Sequence, residues 1–246
     1  MLRNFAKTVL SFFLRPNCPL CDRPADRELC LYCERQLLQC KSLSCYSLAD
    51  QVPVLVWGRH QAALKRAIAV MKYQNHPEIA QILGEQLADG WLEASLNFPK
   101  LALENDTETL VVVPIPMFAQ KQKQRGFNQA ELIARHFCRG TGFPLKAAGL
   151  ERVRETEAQF QLSAQQRQAN LKQAFQLGQD FRHSPPKASI LLVDDIFTTG
   201  ATVQAALQTL TQAKLTVKGI LAVSTTKPPS SNLNLKRPNI NHIGTP

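Results

Sequence analysis

The chain has 246 residues, 44% hydrophobic and 20% charged, and its 29 Lys and Arg against 19 Asp and Glu give a formal charge of +10. These proportions describe a soluble globular protein with room for one medium domain and a small accessory one. No apolar run approaches the roughly 18 residues of a membrane-spanning helix, and the basic excess favours polyanionic partners, nucleic acid or a phosphorylated ligand.

The first sixteen residues carry Arg3 and Lys7 among apolar positions but no small-residue cleavage site. Phe5, Val9, Phe12 and Phe13 fall on one face of an amphipathic helix, expected to pack on the protein's own body. Residues 1–50 hold six of the seven cysteines and lack a large apolar core of their own. Cys18-x-x-Cys21 and Cys30-x-x-Cys33 are two CxxC pairs eight residues apart, the donor set of a tetrahedral structural Zn²⁺. A disulfide pair or a redox CxxC competes with that reading, and the doubled spacing favours zinc. The odd cysteine count points to a reduced, cytoplasmic protein, with Cys40, Cys45 and Cys138 as buried, inert thiols.

From Val52 the texture changes. Val54 to Trp57 predicts a strand broken at Gly58. Leu64, Ala67, Ile68 and Met71 form a helical stripe ending at Lys72-Tyr73, where Lys72 reads as a cationic C-cap. A second helix starts near Pro77 and carries Ile79, Ile82, Leu83, Leu87 and Trp91, followed by a polar connection over 95–109. Leu110 to Val113 is an apolar strand closed by Pro114-Ile115-Pro116. The basic stretch from Lys121 to Arg125 reads as a loop at that strand's carboxyl end, suited to a pyrophosphate or simply solvated. Gly126-Phe127-Asn128 then opens a helix, with Asn128 as its cap and Gly140 and Gly142 ending it. Leu150 to Val153 predicts a short strand. The Gln-rich segment from Arg152 to Asn170 fits an arginine-bearing lid or a plain exposed helix-loop equally well, with a capping box at Ser163 and Gln166. The last strand is Gly219 to Val223, and 227–246 is a Pro/Ser/Asn-rich basic tail expected to be disordered. Strands alternating with helices predict an α/β fold, a mainly parallel sheet with helices on both faces.

Ile190 to Val203, ILLVDDIFTTGATV, carries the densest chemistry. A buried strand delivers Asp194 and Asp195, and the Thr198-Thr199-Gly200-Ala201-Thr202 turn opens a helix with Val203, Ala206, Leu207 and Leu210 on one face. A carboxylate accepts two hydrogen bonds from sugar hydroxyls, and the amides of a Gly-containing turn at a helix N-terminus cradle a phosphate. Because successive strand residues face opposite ways, both aspartates can serve one ligand only if the strand ends near Val193.

This run resembles the ribose-phosphate signature of type I phosphoribosyltransferases. CxxC…CxxC at 18–33, LKRAIAVMKY at 64–73, PIP at 114–116, RGFNQAELIA at 125–134, RVRETEAQ at 152–159, R-x-x-N at 167–170 and VDDIFTTGAT at 193–202 together resemble the ComF family. That resemblance implies a four-cysteine zinc module with its N-terminal helix over 1–50 and a phosphoribosyltransferase-like domain over 51–226. It also implies a part in DNA uptake during natural transformation, alongside competence machinery proteins. By it, Asp194 and Asp195 are catalytic and hold the ribose 2′ and 3′ hydroxyls of phosphoribosyl pyrophosphate. Thr198 to Thr202 take the 5′-phosphate. Pro114, Ile115, Pro116, Arg125 and Arg154 take the pyrophosphate with Mg²⁺. Two functions follow as expectations: phosphoribosyl transfer to an acceptor the sequence does not name, or a non-catalytic grip on single-stranded DNA by the same fold.

Overall fold

The structure is a computed structural model that describes residues 17–48, 52–97, 101, 109–154 and 174–228. The N-terminal helix, most of the 95–109 connection and of the Arg152–Asn170 segment, and the tail from 229 lie outside the described residues.

The elements are α1 (Leu31–Leu38), β1 (Lys41–Ser47), β2 (Pro53–Arg59), α2 (Ala62–Tyr73), α3 (Ile79–Asn97) and β3 (Leu110–Pro114). Then follow α4 (Ala119–Arg125), α5 (Gln129–Thr141), β4 (Leu150–Arg152), β5 (Phe175–Leu177), α6 (Gln179–Arg182), β6 (Ser189–Phe197), α7 (Ala201–Gln212) and β7 (Val217–Thr225). Five strands form one sheet in the order β1-β2-β7-β6-β3. β2, β7, β6 and β3 run parallel, and β1 closes one edge antiparallel to β2. β4 and β5 make a separate two-stranded ribbon.

The four parallel strands are buried on both faces, which is why their sequences read as continuous apolar runs. Their side chains alternate between two cores. Leu55, Val112, Leu191, Val193 and Leu221 pack under α2, α3 and α5, against Leu64, Ile68, Leu83, Trp91 and Phe137. Val54, Val113, Ile190, Leu192 and Ile220 pack under α7 and the β4–β5 ribbon, against Val203, Ala206, Leu210, Phe175 and Phe181. The mixed α/β fold with helices on both faces of a mainly parallel sheet is thus present. The cysteine segment is joined to it, since Cys18, Cys33 and Leu37 share the first core and β1 completes the sheet.

Three sequence expectations need correction. β2 does not break at Gly58 but continues to Arg59, pairing Gly58 with Ser224 on one side and Lys41 on the other. The basic stretch before Gly126 is a helix, α4, with no buried residue, so no apolar periodicity marks it. β6 does not end at Val193 but reaches Phe197, because β7 keeps offering a ladder through the pairs Asp194 with Ala222 and Phe197 with Thr225.

Candidate functional site

What stops at Val193 is the neighbouring strand. The β3–β6 ladder ends at the pair Pro114 and Val193, followed by one bond from the Ile115 amide to the Val193 carbonyl at 2.8 Å. Pro114 and Pro116 have no N–H to extend it. Past that point no strand among the described residues pairs with β6 on its β3 side, and a cavity of about 210 Å³ opens there, lined by Asp194, Asp195, Ile115, Pro116, Thr202, Lys72, Asn128, Gln129 and Arg152 among others. Both aspartates therefore reach one cavity although the strand runs straight through them. The site lies at the carboxyl ends of the parallel strands, where open α/β sheets bind ligands.

Asn128 holds the rim. Its side chain accepts the Ala130 amide at 3.1 Å as the N-cap of α5 and donates to the Ile115 carbonyl at 3.1 Å, tying helix to strand end. That placement turns Gln129 toward Asp195, whose Oδ1 accepts the Gln129 Nε2 at 3.4 Å. The Lys72 ammonium contacts Asp195 Oδ2, and the two side chains are only 15% and 6% exposed. Lys72 does lie in the last turn of α2, but its charge is spent on Asp195. Asp194 accepts the Asp195 amide on Oδ1 at 2.8 Å. Burial, with the Asp195 charge beside it, pushes the Asp194 carboxyl well above the usual carboxylate range.

The turn after β6 brings Gly200 to the N-cap of α7 with φ of +87°, a conformation that favours glycine. A Cβ there would also lie 2.9 Å from Phe197 Cε2. Thr199 Oγ1 accepts the Ala201 amide at 3.3 Å; Thr198 and Thr199 are exposed, and Thr202 faces the cavity. Of the other residues singled out in the sequence, Ile115 and Pro116 line the cavity and Pro114 is buried in β3. Arg125 lines a neighbouring cleft of about 430 Å³ with Lys72, Tyr73 and Lys123. Arg154 is exposed and offers its carbonyl to Arg152 Nε at 3.3 Å, and it is Arg152 that lines the cavity. Lys72, Gln129 and Arg152 join the site without a sequence signal of their own beyond their places in the matched motifs.

The second constellation is the thiol cluster. The Sγ atoms of Cys18, Cys21, Cys30 and Cys33 all lie within 4.8 Å of one another. A tetrahedral Zn²⁺ with Zn–S near 2.3 Å needs sulfur–sulfur edges of about 3.8 Å, so the four donors fit a metal such as zinc. The first CxxC folds back through the Cys21 and Asp22 amides donating to the Cys18 carbonyl, at 3.2 and 2.8 Å. Hydrogen bonds from the Arg23 backbone and guanidinium lower the Cys21 thiol to about 6, whereas burial pushes Cys33 up. Cys40 is buried, and Cys45 and Cys138 are half-buried; none of the three joins the cluster.

These features define an α/β protein with a mainly parallel sheet, a carboxylate cavity at its strand ends and a four-thiol module. No family model matches the chain. It is 31% identical over 195 residues to the DNA utilization protein YhgH of Salmonella typhi, covering 78% of this chain and 77% of that protein. Competence protein F of Haemophilus influenzae is 28% identical over 198 residues, 72% of this chain and 82% of that one. Competence protein ComFC of Bacillus subtilis is 26% identical over 201 residues, 78% and 70% respectively. The chain belongs to the ComF family. Among solved structures, TT1426 from Thermus thermophilus matches at 15% identity and a TM-score of 0.28, over 62% of this chain and 86% of that one. Among the described residues, no helix is long and apolar enough to cross a membrane.

Proposed function

We propose that the protein binds a ribose phosphate, phosphoribosyl pyrophosphate or a close relative, at the Asp194–Asp195 cavity and acts in the uptake or use of DNA. The observation that carries the first half is the meeting of two carboxylates, a Gly-capped helix N-terminus and a cation in one small cavity. The names of its relatives, competence proteins and a DNA utilization protein, support the second half. Asp194 and Asp195 would take the ribose hydroxyls, Thr198 to Thr202 the 5′-phosphate, and the Pro114–Pro116 turn with Arg125 and Arg154 the pyrophosphate. Mg²⁺, when bound with the ligand, would neutralise charge on the pyrophosphate as a Lewis acid. If transfer occurs, amides and cations around that leaving group favour the transition state over the ground state. We divide the chain accordingly into a four-cysteine zinc module over 1–50, a phosphoribosyltransferase-like domain over 51–226 and a tail over 227–246. Four thiols clustered as a metal would need them suit a reducing cytoplasm.

Titrating phosphoribosyl pyrophosphate with Mg²⁺ should raise the melting temperature, by about 2.7 kcal/mol of stability at a hundredfold excess over Kd. Asp194→Ala combined with Asp195→Ala should abolish the rise. No rise in the parent protein overturns the ligand assignment. A grip on single-stranded DNA is favoured by the basic cleft beside the cavity. It predicts affinity that falls steeply with salt, and salt-independent binding excludes it.

A further inference from the structure

The four clustered thiols are not equivalent. Cys18 and Cys33 are buried in the first core, 1% and 0% exposed, whereas Cys21 and Cys30 are half-buried. Each CxxC thus supplies one inner and one outer sulfur, and the two outer ones come from different pairs. Their Sγ atoms stand 3.5 Å apart. Cys30 lines an open groove of about 650 Å³ together with Arg23, Arg27, Tyr32 and Arg35 among others, so small polar solutes reach this side of the cluster. Arg23 is fixed there. Its Nε donates to Cys21 Sγ at 3.3 Å, and its guanidinium lies 4.5 Å from the centre of the Tyr32 ring. A structural metal asks only for four donors at the right spacing. It does not account for an outer pair in contact beside an open groove, with a cation held against one member. A thiol that reacts with oxidants is exposed, lies near a cation and has a second thiol within reach to resolve it.

We propose that Cys21 and Cys30 are a reversible oxidation site for a peroxide, at which a disulfide between the two CxxC pairs replaces the metal. The Cys21 thiolate attacks one peroxide oxygen and the O–O bond breaks. The sulfur becomes a sulfenic acid, and the leaving hydroxide takes a proton to become water. The Cys30 thiolate then attacks that sulfur and expels a second hydroxide, which also leaves as water. Two thiolates, one hydrogen peroxide and two protons thus give one disulfide and two waters. The sulfurs have only to close from 3.5 Å to a bond of about 2.05 Å. Cys18 and Cys33 alone do not complete a tetrahedral site, so the metal departs. The new bond still joins the first CxxC to the second, and the chain keeps a clamp across a module whose inner cysteines belong to the core. Expulsion of the metal rests on the zinc reading; the pairing of the outer sulfurs does not.

The test exposes the full, zinc-loaded chain to graded hydrogen peroxide. Released zinc is followed with a chromogenic chelator, and differential alkylation with mass spectrometry maps the thiols. Release should approach about one zinc per chain, in step with a disulfide between Cys21 and Cys30. Dithiothreitol with added zinc should restore the parent. Dimedone present during the reaction should label Cys21 as its sulfenic acid. In Cys30→Ser, checked for folding by circular dichroism, that label should rise about fivefold or more, because the resolving thiol is gone. If the variant does not fold, the map of the parent decides alone. The oxidised chain should melt above the reduced chain stripped of zinc with EDTA, because the disulfide keeps the clamp. A disulfide within one CxxC or to Cys40, Cys45 or Cys138 overturns the proposal. So does a first label on Cys18 or Cys33, zinc retained at peroxide levels that oxidise free cysteine, or an oxidised chain that melts no higher than the stripped one. A chain isolated without zinc that still forms the bond between Cys21 and Cys30 leaves the oxidation site standing and overturns the zinc reading.

Discussion

The thiol cluster and the aspartate cavity are assembled in opposite ways. All four sulfurs come from residues 18–33, and one tight turn and the start of α1 suffice to bring them within 4.8 Å. The cavity gathers Lys72 from a helix end, Ile115 from a strand end, Asn128 from a cap, Arg152 from a ribbon and Asp195 from the central strand. Local chemistry is written in spacing. Chemistry assembled across the sheet is written in topology, so only its most compact fragment, Asp-Asp with Thr-Thr-Gly-Ala-Thr, is visible in the chain. The two regions should therefore fail differently when perturbed.

The largest effect is expected at the cluster. Cys33→Ser removes a fully buried thiol of the cluster that also belongs to the main core. Metal analysis should find about one zinc per parent chain and none in the variant. The metal's apparent contribution in comparable small modules is about 10–16 kcal/mol, and thermal denaturation should show a correspondingly severe loss. A zinc-free variant with the parent's melting temperature would show that the thiols merely pack.

Next comes the scaffold that carries the cavity. At Gly84 in α3, an added Cβ would lie 2.5 Å from the Ile133 carbonyl oxygen and 2.6 Å from His136 Cβ on α5. Gly84→Ala should push α5 outward and cost about 1–3 kcal/mol in a urea melt. Because α5 presents Asn128 and Gln129, ligand binding at the cavity should weaken while zinc content stays intact. Loss of both together would erase the distinction between the two regions.

How far the chain discloses its structure follows the same division. The buried parallel strands β2, β3, β6 and β7 announce themselves as apolar runs, and α2, α3 and α5 as stripes at helical spacing. The antiparallel edge β1, KSLSCYS, has too few apolar residues for either signal, and its pairing with β2 is what makes it a strand. α4, AQKQKQR, is built of good helix formers but buries nothing, so it reads as a loop. The end of β6 is misjudged for a related reason. Where a strand stops depends on its neighbours, and here β3 leaves while β7 stays. Lys72 shows the limit most plainly. At the end of an amphipathic helix it reads as a cap, and only the folded sheet brings Asp195 to its ammonium.

Asn128→Ala tests the link between cap and cavity. It removes the N-cap acceptor of α5 and the donor to the Ile115 carbonyl together. The expected cost is about 1–2 kcal/mol by chemical denaturation. A loss of ligand affinity out of proportion to that cost would show that Asn128 positions the Ile115–Pro116 turn rather than merely starting a helix.

The smallest expected change has the opposite sign. Asp194 is buried and its carboxyl sits well above the ordinary range, chiefly through burial and then through the Asp195 charge. A carboxyl raised on folding is held more tightly as the neutral acid in the native state. Its contribution to stability is therefore complete below the unfolded value near 3.9 and is lost as pH rises through the folded one. At neutral pH the native state carries that penalty. Asp194→Asn keeps an acceptor for the Asp195 amide and removes the ionisable group. Denaturation at pH 7 should show a gain of about 1 kcal/mol, shrinking toward pH 4, with ligand binding lost. In a variant of the thiol cluster no such gain should appear, because a metal held there would stabilise those donors by its charge. A variant less stable than the parent at every pH would mean that the Asp194 carboxylate is held by attraction rather than tolerated for its use.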